Sequence, residues 1–472
     1  MRLETALKKM LVIMLAALGC IPTTATAQVP DFTPQTRLIA ALVHNDLAEA
    51  RHLLELGADP NQGRFVGFAP VFLAIQRNDL ALVRLMIEKG VDLDVRDPSG
   101  STVLMWAAGN EIGDAVLVDA LLKLGADPAA VNKVGETALD WAARRGETPA
   151  VAALRRHGAS NSVRVSAAVD KALALLQRSG AQFTRVSGCF SCHHSSLPQM
   201  ALDIARSRGL RVDEAAADDQ VRSAIAMMRS VADEAVKNRD RIPDPPIGVS
   251  YGLIALAAAH YHADDVTHAM TQVIGAWQSE DGAFHALPTI RPPLESEDFS
   301  ATALSVRALQ LYGVRDDDRM ARAAAWLRTA TPRSSPEHAM QLLGLTWAHA
   351  SSADISRSAD ALLALQREDG GWAQLPGLET DAYATGQALV ALQTAGHSAT
   401  SDQYQRGVAF LLRTQFADGS WLVRTRTYPV QPPKDTGFPH GKHQWISAAG
   451  TSWAAMALAL TLPPVATIDA TR

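Results

Sequence analysis

The spacing of hydrophobic residues in this 472-residue chain is helical almost throughout. Apolar positions recur every three or four residues in alanine-rich segments, and the alternation typical of β-strands is nearly absent. The hydrophobic content of 47% is sufficient for real cores, and the length predicts two or more domains. We therefore predict an all-α protein in which two different helical repeats follow one another.

The first repeat covers about residues 35–162, and its marker is a helix that ends in Leu-x-x-Gly-Ala-Asp or a close variant. The marker glycines are Gly57, Gly90, Gly125 and Gly158. Their separations are 33, 35 and 33 residues, and a helix that stops there needs a left-handed residue, which glycine supplies. This period, with helix starts such as TVLMWAA at 102–108 and TALDWAA at 137–143, resembles that of ankyrin repeats.

The resemblance implies an ankyrin solenoid of about four repeats, with an atypical first and last repeat as caps. Such arrays bind partner proteins through a concave face, so a protein partner is one expectation. If it is correct, changes at loop residues such as Phe65 or Arg96 would weaken binding. The alternative is that so short an array only packs against the neighbouring domain.

The second repeat covers about residues 165–465 and holds about twelve amphipathic helices in pairs. Three of its turns share a glutamine, an Asp-Gly pair and an aromatic residue: QSEDGAF at 278–284, QREDGGW at 366–372 and QFADGSW at 415–421. This pattern resembles the QW motif of squalene–hopene cyclases and related prenyltransferase-like proteins. The resemblance implies a terpenoid cyclase-like α/α toroid, with an inner and an outer ring of helices around a central cavity.

Two helix starts after these turns carry an aspartate four residues before a threonine, and these aspartates are Asp298 and Asp381. The resemblance makes them candidate cavity carboxylates for acid catalysis, although the nearest acidic stretch, ESED at 295–298, departs from the DxDD proton donor of the cyclases. Helix N-capping is the alternative role for both. The loop that follows the third glutamine turn contains two histidines, His440 and His443. His440 could bind a substrate, or either histidine could ligate iron.

Residues 189–193 read Cys-Phe-Ser-Cys-His, which is the attachment motif of c-type haem. It predicts thioether bonds from Cys189 and Cys192 to the haem vinyl groups, with His193 as the iron ligand. We therefore predict one haem c, serving electron transfer or haem-based redox chemistry with a redox partner. A disulfide between the two cysteines or a metal site stays an alternative, and the spacing fits zinc poorly.

The N-terminus predicts export. Residues 1–27 combine a basic start, an apolar stretch and a small-x-small cleavage site, as a signal peptide does. Lipid attachment at Cys20 is the weaker alternative, and no segment of the mature chain has a transmembrane pattern. We expect a periplasmic or secreted protein. The net charge of −5 argues against nucleic acid as a partner.

Three functions therefore remain open from the sequence. The first is an exported haem protein, the second a cyclase- or lyase-like enzyme that uses the cavity carboxylates, and the third a protein-binding scaffold built on the ankyrin repeats. The haem motif is complete, whereas the acid set of the cyclases is incomplete, so the haem protein is the preferred interpretation.

Overall fold

The computed structural model describes most of the chain in two compact units, Met1–Asn161 and Ser162–Arg472. The described residues are 33–110, 115–133, 136–144, 148–157, 162–237, 242, 244–287, 291–295, 297–427 and 434–465. Over these ranges the chain forms helices, and its β-structure is limited to isolated bridges. None of the helices described is long and apolar enough to cross a membrane. The predicted signal peptide and Cys20 lie outside the described residues.

The first unit consists of short helices that alternate with loops. Those described are α1 Pro34–Val43, α2 Leu47–Glu55, α3 Pro70–Gln76, α4 Leu80–Glu88, α5 Val103–Ala108, α6 Ala115–Lys123, α7 Ala138–Ala143 and α8 Pro149–Arg156. Helices α1, α3, α5 and α7 stack on one another in that order. The chain turns after α2, α4 and α6 at Gly57, Gly90 and Gly125, whose φ values of +94°, +80° and +93° are left-handed. The fourth marker glycine, Gly158, lies outside the described residues.

The second unit begins with a long helix and continues in helix pairs. Its described helices are α9 Ser162–Ser187, α10 Leu197–Ser207, α11 Glu214–Lys237, α12 Pro245–Ala258, α13 Asp265–Gly275, α14 Asp298–Tyr312, α15 Asp317–Thr329, α16 Ser335–Trp347, α17 Ser352–Leu363, α18 Ala382–Thr394, α19 Asp402–Thr414 and α20 Gln444–Ala459. Helices α10, α12, α14, α16, α18 and α20 each pack on the next, and α20 packs on α10, so the six form a closed ring.

Composition explains which helices form the ring. Ring helices such as α12, α18 and α20 are buried on nearly all sides and consist largely of alanine, glycine and other apolar or small residues. The alternate helices, such as α11 and α19, have an apolar face against the ring and a charged face outside. A helix with no polar face must be surrounded by others, and the ring provides that environment.

Each of the three glutamine turns joins one helix pair to the next. In the middle turn, the Gln366 side-chain amide donates to the carbonyl of Gly370 at 2.8 Å and to the carbonyl of Gln403 on α19 at 2.7 Å. The guanidinium of Arg406, also on α19, donates to the Gln366 side-chain oxygen at 2.5 Å. The glutamine side chain therefore bonds to the backbone of its own turn and also to α19, one of the helices outside the ring.

The other two turns repeat this arrangement. Gln278 donates to the carbonyl of Arg319 on α15 at 3.0 Å. Gln415 donates to the carbonyl of Ala168 at 2.9 Å, and Ala168 belongs to α9, the first helix of the unit. The last turn thus connects the end of the unit to its beginning.

The aromatic residue of each turn is held by a threonine on the following ring helix. The threonine hydroxyl accepts the aromatic residue's backbone N–H at 2.9–3.1 Å in the pairs Phe284–Thr302, Trp372–Thr385 and Trp421–Thr451. All three aromatic side chains are buried, which packs the turn against the ring.

Replacing the turn glycine Gly370 by alanine should destabilise the second unit by about 2–4 kcal/mol, through a strained left-handed backbone and an overpacked contact. Its φ is +90°, and an added Cβ would lie 2.5 Å from the carbonyl oxygen of Arg406. The matched change Gly377→Ala adds a Cβ with nothing within 4 Å, so its effect should stay within about 0.5 kcal/mol. Urea unfolding followed by circular dichroism measures both, and equal midpoints for the two variants would contradict this account.

Candidate functional site

A cavity of about 740 Å³ in the second unit contains the Cys-x-x-Cys-His motif in its wall. Its apolar lining includes Phe183, Phe190, Met228, Val249, Met270 and Leu294. Its polar lining includes Cys189, Cys192, His193, Arg291, Lys442 and His443. The volume lies within the range of roughly 300–1,000 Å³ that is typical of small-molecule and cofactor sites.

The motif forms a tight turn in front of α10. Residues Cys192–Ser196 make one π-helical turn. Ser191 is its N-cap, and the Ser191 hydroxyl accepts the backbone N–H of His194 at 3.1 Å. Helix α9 approaches this turn closely at Gly180, where an added Cβ would lie 2.6 Å from the carbonyl oxygen of His194. The missing side chain at Gly180 therefore lets α9 support the motif directly.

The two cysteines have different surroundings. Both thiols are free, so the disulfide alternative is not realised in this structure, and Cys189 is exposed whereas Cys192 is buried. The Cys192 sulfur lies 3.9 Å from a carboxylate oxygen of Glu295, whose other oxygen is 3.1 Å from the Arg291 guanidinium. Burial, reinforced by the negative charge of Glu295, raises the pKa of the Cys192 thiol well above its usual value.

His193 is held between two aromatic side chains at the cavity wall. Its ring stacks on Trp445 with centroids 5.3 Å apart and meets the edge of Phe183 at 5.2 Å. Its Nδ1 is hydrogen-bonded to Nδ1 of His194. Its Nε2 has no hydrogen-bond partner within the described parts of the chain and is not among the atoms fully shielded from solvent. Burial lowers the pKa of His193 well below its usual value, so the ring is neutral.

Behind His193, three polar side chains form a buried chain of hydrogen bonds. His194 Nε2 lies 3.1 Å from the hydroxyl of Thr436, and that hydroxyl lies 2.5 Å from the side-chain oxygen of Gln444. Burial lowers the pKa of His194 to about 3. The ring of Phe183 stacks on His194 at 5.0 Å, which fixes the plane of the imidazole.

Polar and cationic side chains also lie at the cavity. The indole N–H of Trp445 is buried and makes no hydrogen bond to any described residue. Lys442 and His443 lie beside it, and Arg291 contributes a guanidinium to the same cavity. His443 uses Nδ1 to accept the backbone N–H of Thr425 at 3.1 Å. An anionic group in the cavity would therefore meet the cation of Lys442 and that of Arg291, which is also paired with Glu295.

The three catalytic candidates from the sequence do not line this cavity. Asp381 caps α18, because Oδ1 accepts the backbone N–H groups of Tyr383 at 2.8 Å and Ala384 at 3.0 Å. Its Oδ2 accepts from the Gln374 amide at 2.9 Å, and burial raises its pKa to about 6. His440 instead lies 2.8 Å from the Ser420 hydroxyl and packs on Phe416.

Asp298 is not a helix cap, so the N-cap interpretation is wrong for this residue. It is the first residue of α14, and its carboxylate accepts the backbone N–H of Ala286 at 2.9 Å and lies 2.8 Å from Nδ1 of His285. Both partners belong to the preceding turn rather than to α14. Asp298 therefore ties the helix start to the turn, and its side chain stays partly exposed.

Among residues 295–298, the carboxyl group with the largest shift in pKa is that of Glu297, which is not among the candidates from the sequence. Burial raises the pKa of Glu297 to about 8, opposed by a hydrogen bond from Ser300 at 2.8 Å and reinforced by the charge of Glu337. The signal for Glu297 in the sequence is the acidic stretch ESED at 295–298, which lies nearest to the acid motif of the cyclases. Glu297 does not line the cavity either.

No three histidine, cysteine or acidic side chains of the described residues are arranged to hold a bare metal ion. The donors gathered at the cavity include two thiols and the His193 imidazole nitrogen, which is the set that covalent haem attachment requires. The residues present thus fit haem, and the cationic side chains of Lys442 and Arg291 suit its carboxylates.

Comparison with known proteins identifies the first unit. The family described as ankyrin repeats (3 copies) matches residues 38–131 and 71–165. Palmitoyltransferase AKR1 of Lachancea kluyveri is 37% identical over 112 residues, which are 23% of this chain and 15% of that protein. Neurogenic locus notch homolog protein 1 of Danio rerio and of Homo sapiens is 31% identical over 134 residues, 28% of this chain and 5% of theirs. The chain thus spans 15% or less of the length of these relatives.

The first unit is therefore an ankyrin-repeat array, and the matches support a protein-binding scaffold there. They support this function better than the haem function, because the family match ends at residue 165 and the motif begins at residue 189. The cyclase-like toroid, the covalent haem and export stay predictions.

In haem-free protein, Cys189 should react with iodoacetamide faster than Cys192, since Cys189 is exposed and Cys192 is a buried thiol with a raised pKa. Glu295→Gln removes the negative charge near Cys192, lowers its pKa and should accelerate its alkylation several-fold at pH about 8. Peptide mass spectrometry gives both rates. Glu280→Gln, an exposed acid, is the control, and an unchanged Cys192 rate in the Glu295 variant would refute the proposed effect of this carboxylate.

Proposed function

We propose that the protein is an exported c-type haem protein with a redox function, and that its ankyrin repeats bind a partner protein. The observation that carries the haem proposal is the meeting of Cys189, Cys192 and His193 in one cavity of about 740 Å³. The three donors are close in sequence, but the cavity around them is formed by segments from the beginning of the second unit, within residues 183–295, and from its end, within residues 425–446. A motif that occurs by chance would not require such a cavity.

The residues at the cavity have separate roles in this proposal. Cys189 and Cys192 would form the two thioethers, and His193 Nε2 would bind the iron, which supplies one-electron chemistry when bound. The apolar wall would exclude water from the haem, and Lys442, together with the Arg291 guanidinium that also pairs with Glu295, would bind its carboxylates. The six-helix ring is proposed to be the terpenoid cyclase-like α/α toroid that the glutamine turns resemble.

Signal-peptide cleavage after residue 27 and a periplasmic or secreted location belong to the same proposal. Support comes from chemistry, because covalent attachment of haem c is completed outside the bacterial cytoplasm in the c-type cytochromes that the motif resembles. The sequence of residues 1–27 has the corresponding export pattern.

A row of aromatic side chains in the first unit favours protein binding. The ring centroids of Phe68 and Trp106 are 5.4 Å apart, and those of Trp106 and Trp141 are 6.3 Å apart. All three side chains keep accessible surface, and the guanidinium of Arg144 covers the Trp141 ring at 5.6 Å. Partly exposed tryptophans and arginines are the residue types enriched at binding hot spots.

The haem proposal predicts a mass gain of one haem that survives denaturation, with a Soret band, in protein exported from a host that matures c-type cytochromes. The double variant Cys189→Ala/Cys192→Ala should lose the covalent haem, because both thioether positions are gone. Asp381→Asn, outside the cavity, is the control and should keep the haem. A colourless wild-type protein of apo mass would rule the proposal out.

The scaffold proposal predicts that Trp141→Ala weakens the binding of the partner at least about tenfold, as expected for a hot-spot residue. Cross-linking in the native host and mass spectrometry identify the partner, and titration calorimetry with the purified partner gives the affinity. Leu124→Ala, an exposed apolar residue after α6, is the matched control. Equal affinities for both variants would exclude the aromatic row as the contact surface.

A further inference from the structure

The hydrogen bonds behind His193 determine where the protons lie. The backbone N–H of Thr436 donates to the side-chain oxygen of Gln444 at 3.4 Å, which orients that oxygen toward Thr436. The Thr436 hydroxyl lies 2.5 Å from the same oxygen. An amide oxygen can only accept, so the hydroxyl must donate to it. The single hydroxyl proton is therefore not available to His194.

It follows that His194 donates to Thr436. Its Nε2, 3.1 Å from the threonine oxygen, must carry the proton. The ring is buried, and no carboxylate of the described residues contacts it, so a positive charge there would have no counter-charge. The ring is therefore neutral, and its Nδ1 has a lone pair. The hydrogen bond between the two Nδ1 atoms then requires that His193 is the donor. His193 therefore carries its proton on Nδ1, and its Nε2 has a free lone pair.

We infer that His194 is a positioning residue for His193: it accepts the Nδ1 proton of His193 and so presents the Nε2 lone pair to the cavity as a metal ligand. Thr436 and Gln444 extend this relay and hold His194 in the required tautomer. The inference rests on the proposed haem function, because the lone pair needs the iron as its partner. It assigns a role to three residues that have no part in the attachment motif itself.

The relay has a measurable electronic effect. A hydrogen bond from Nδ1–H increases the electron donation of Nε2, as is general for acceptors behind a metal-bound imidazole. Stronger donation stabilises ferric iron more than ferrous iron and lowers the reduction potential. A residue that only filled space behind His193 would leave the potential unchanged.

The sharpest variants are at Thr436, because valine matches threonine in shape and serine keeps its hydroxyl. In Thr436→Val, Nε2 of His194 loses its acceptor, so the His193–His194 bond weakens and the potential should rise. Thr436→Ser should restore it. His194→Phe removes the relay, and the ferric–ferrous equilibrium should shift toward ferrous iron at least about tenfold, which is ~59 mV for one electron. His194→Gln keeps an acceptor oxygen and should fall between His194→Phe and the wild type.

The experiment uses the full-length chain, exported with its covalent haem, and records the reduction potential by spectroelectrochemical titration and the ferric EPR spectrum. His338→Phe replaces a half-buried histidine that does not line the cavity, and it should leave both readouts unchanged. If His194→Phe does not fold, the comparison of Thr436→Val with Thr436→Ser still tests the relay.

Mass spectrometry of the denatured wild type separates the two possible failures. Wild type without covalent haem overturns the proposed function and the relay together. The relay alone is overturned if the wild type carries haem but the variants behave like it. In that outcome, Thr436→Val and folded His194→Phe have the reduction potential and the EPR spectrum of the wild type. A raised potential in Thr436→Val that Thr436→Ser reverses supports it.

Discussion

The second unit depends on one repeated interaction, the side-chain amide of a glutamine that bonds both its own turn and the next outer helix. The three glutamines Gln278, Gln366 and Gln415 each donate to a backbone carbonyl two helices further along or, for Gln415, on the first helix. Each such hydrogen bond contributes only about 1 kcal/mol net, but an unpaired buried amide would cost more. The geometry of the turn is therefore specified strongly even though no single bond is strong.

The cavity at the Cys-x-x-Cys-His motif is a consequence of this closure. Its wall combines residues 189–193, near the start of the unit, with residues 442–446, near its end. These segments meet because Gln415 fixes the last outer helix to α9, and because the ring helix α20 packs on α10. The same closure brings Thr436 and Gln444 to His194.

The parts of this protein that sequence reasoning predicted are those with a local physical signal. The left-handed glycines Gly57, Gly90 and Gly125 follow from a helix stop, and the Asp-Gly turns follow from turn chemistry. The Cys-x-x-Cys-His motif is likewise local. Thr436 lies 242 residues from His194, so nothing near the motif indicates that it supports His194. The same is true of Glu295, which lies 103 residues from the cysteine it contacts.

The placement of the acids also bears on the choice between haem chemistry and cyclase-like acid catalysis. A general acid needs a proton and access to its substrate, and Glu297, with a pKa raised to about 8, would carry a proton at neutral pH.

Yet Glu297 lies outside the lining of the cavity, and burial alone is the largest cause of its raised pKa. Asp381 has both oxygens occupied by donors that hold the start of α18. The cavity itself offers two thiols, an imidazole lone pair and cationic groups around apolar walls. The carboxylate that lines it, Glu295, is paired with Arg291 and contacts the Cys192 sulfur. A flat apolar metal complex with carboxylates uses the thiols, the imidazole and the cationic groups, whereas a hydrocarbon substrate would leave these three without a role.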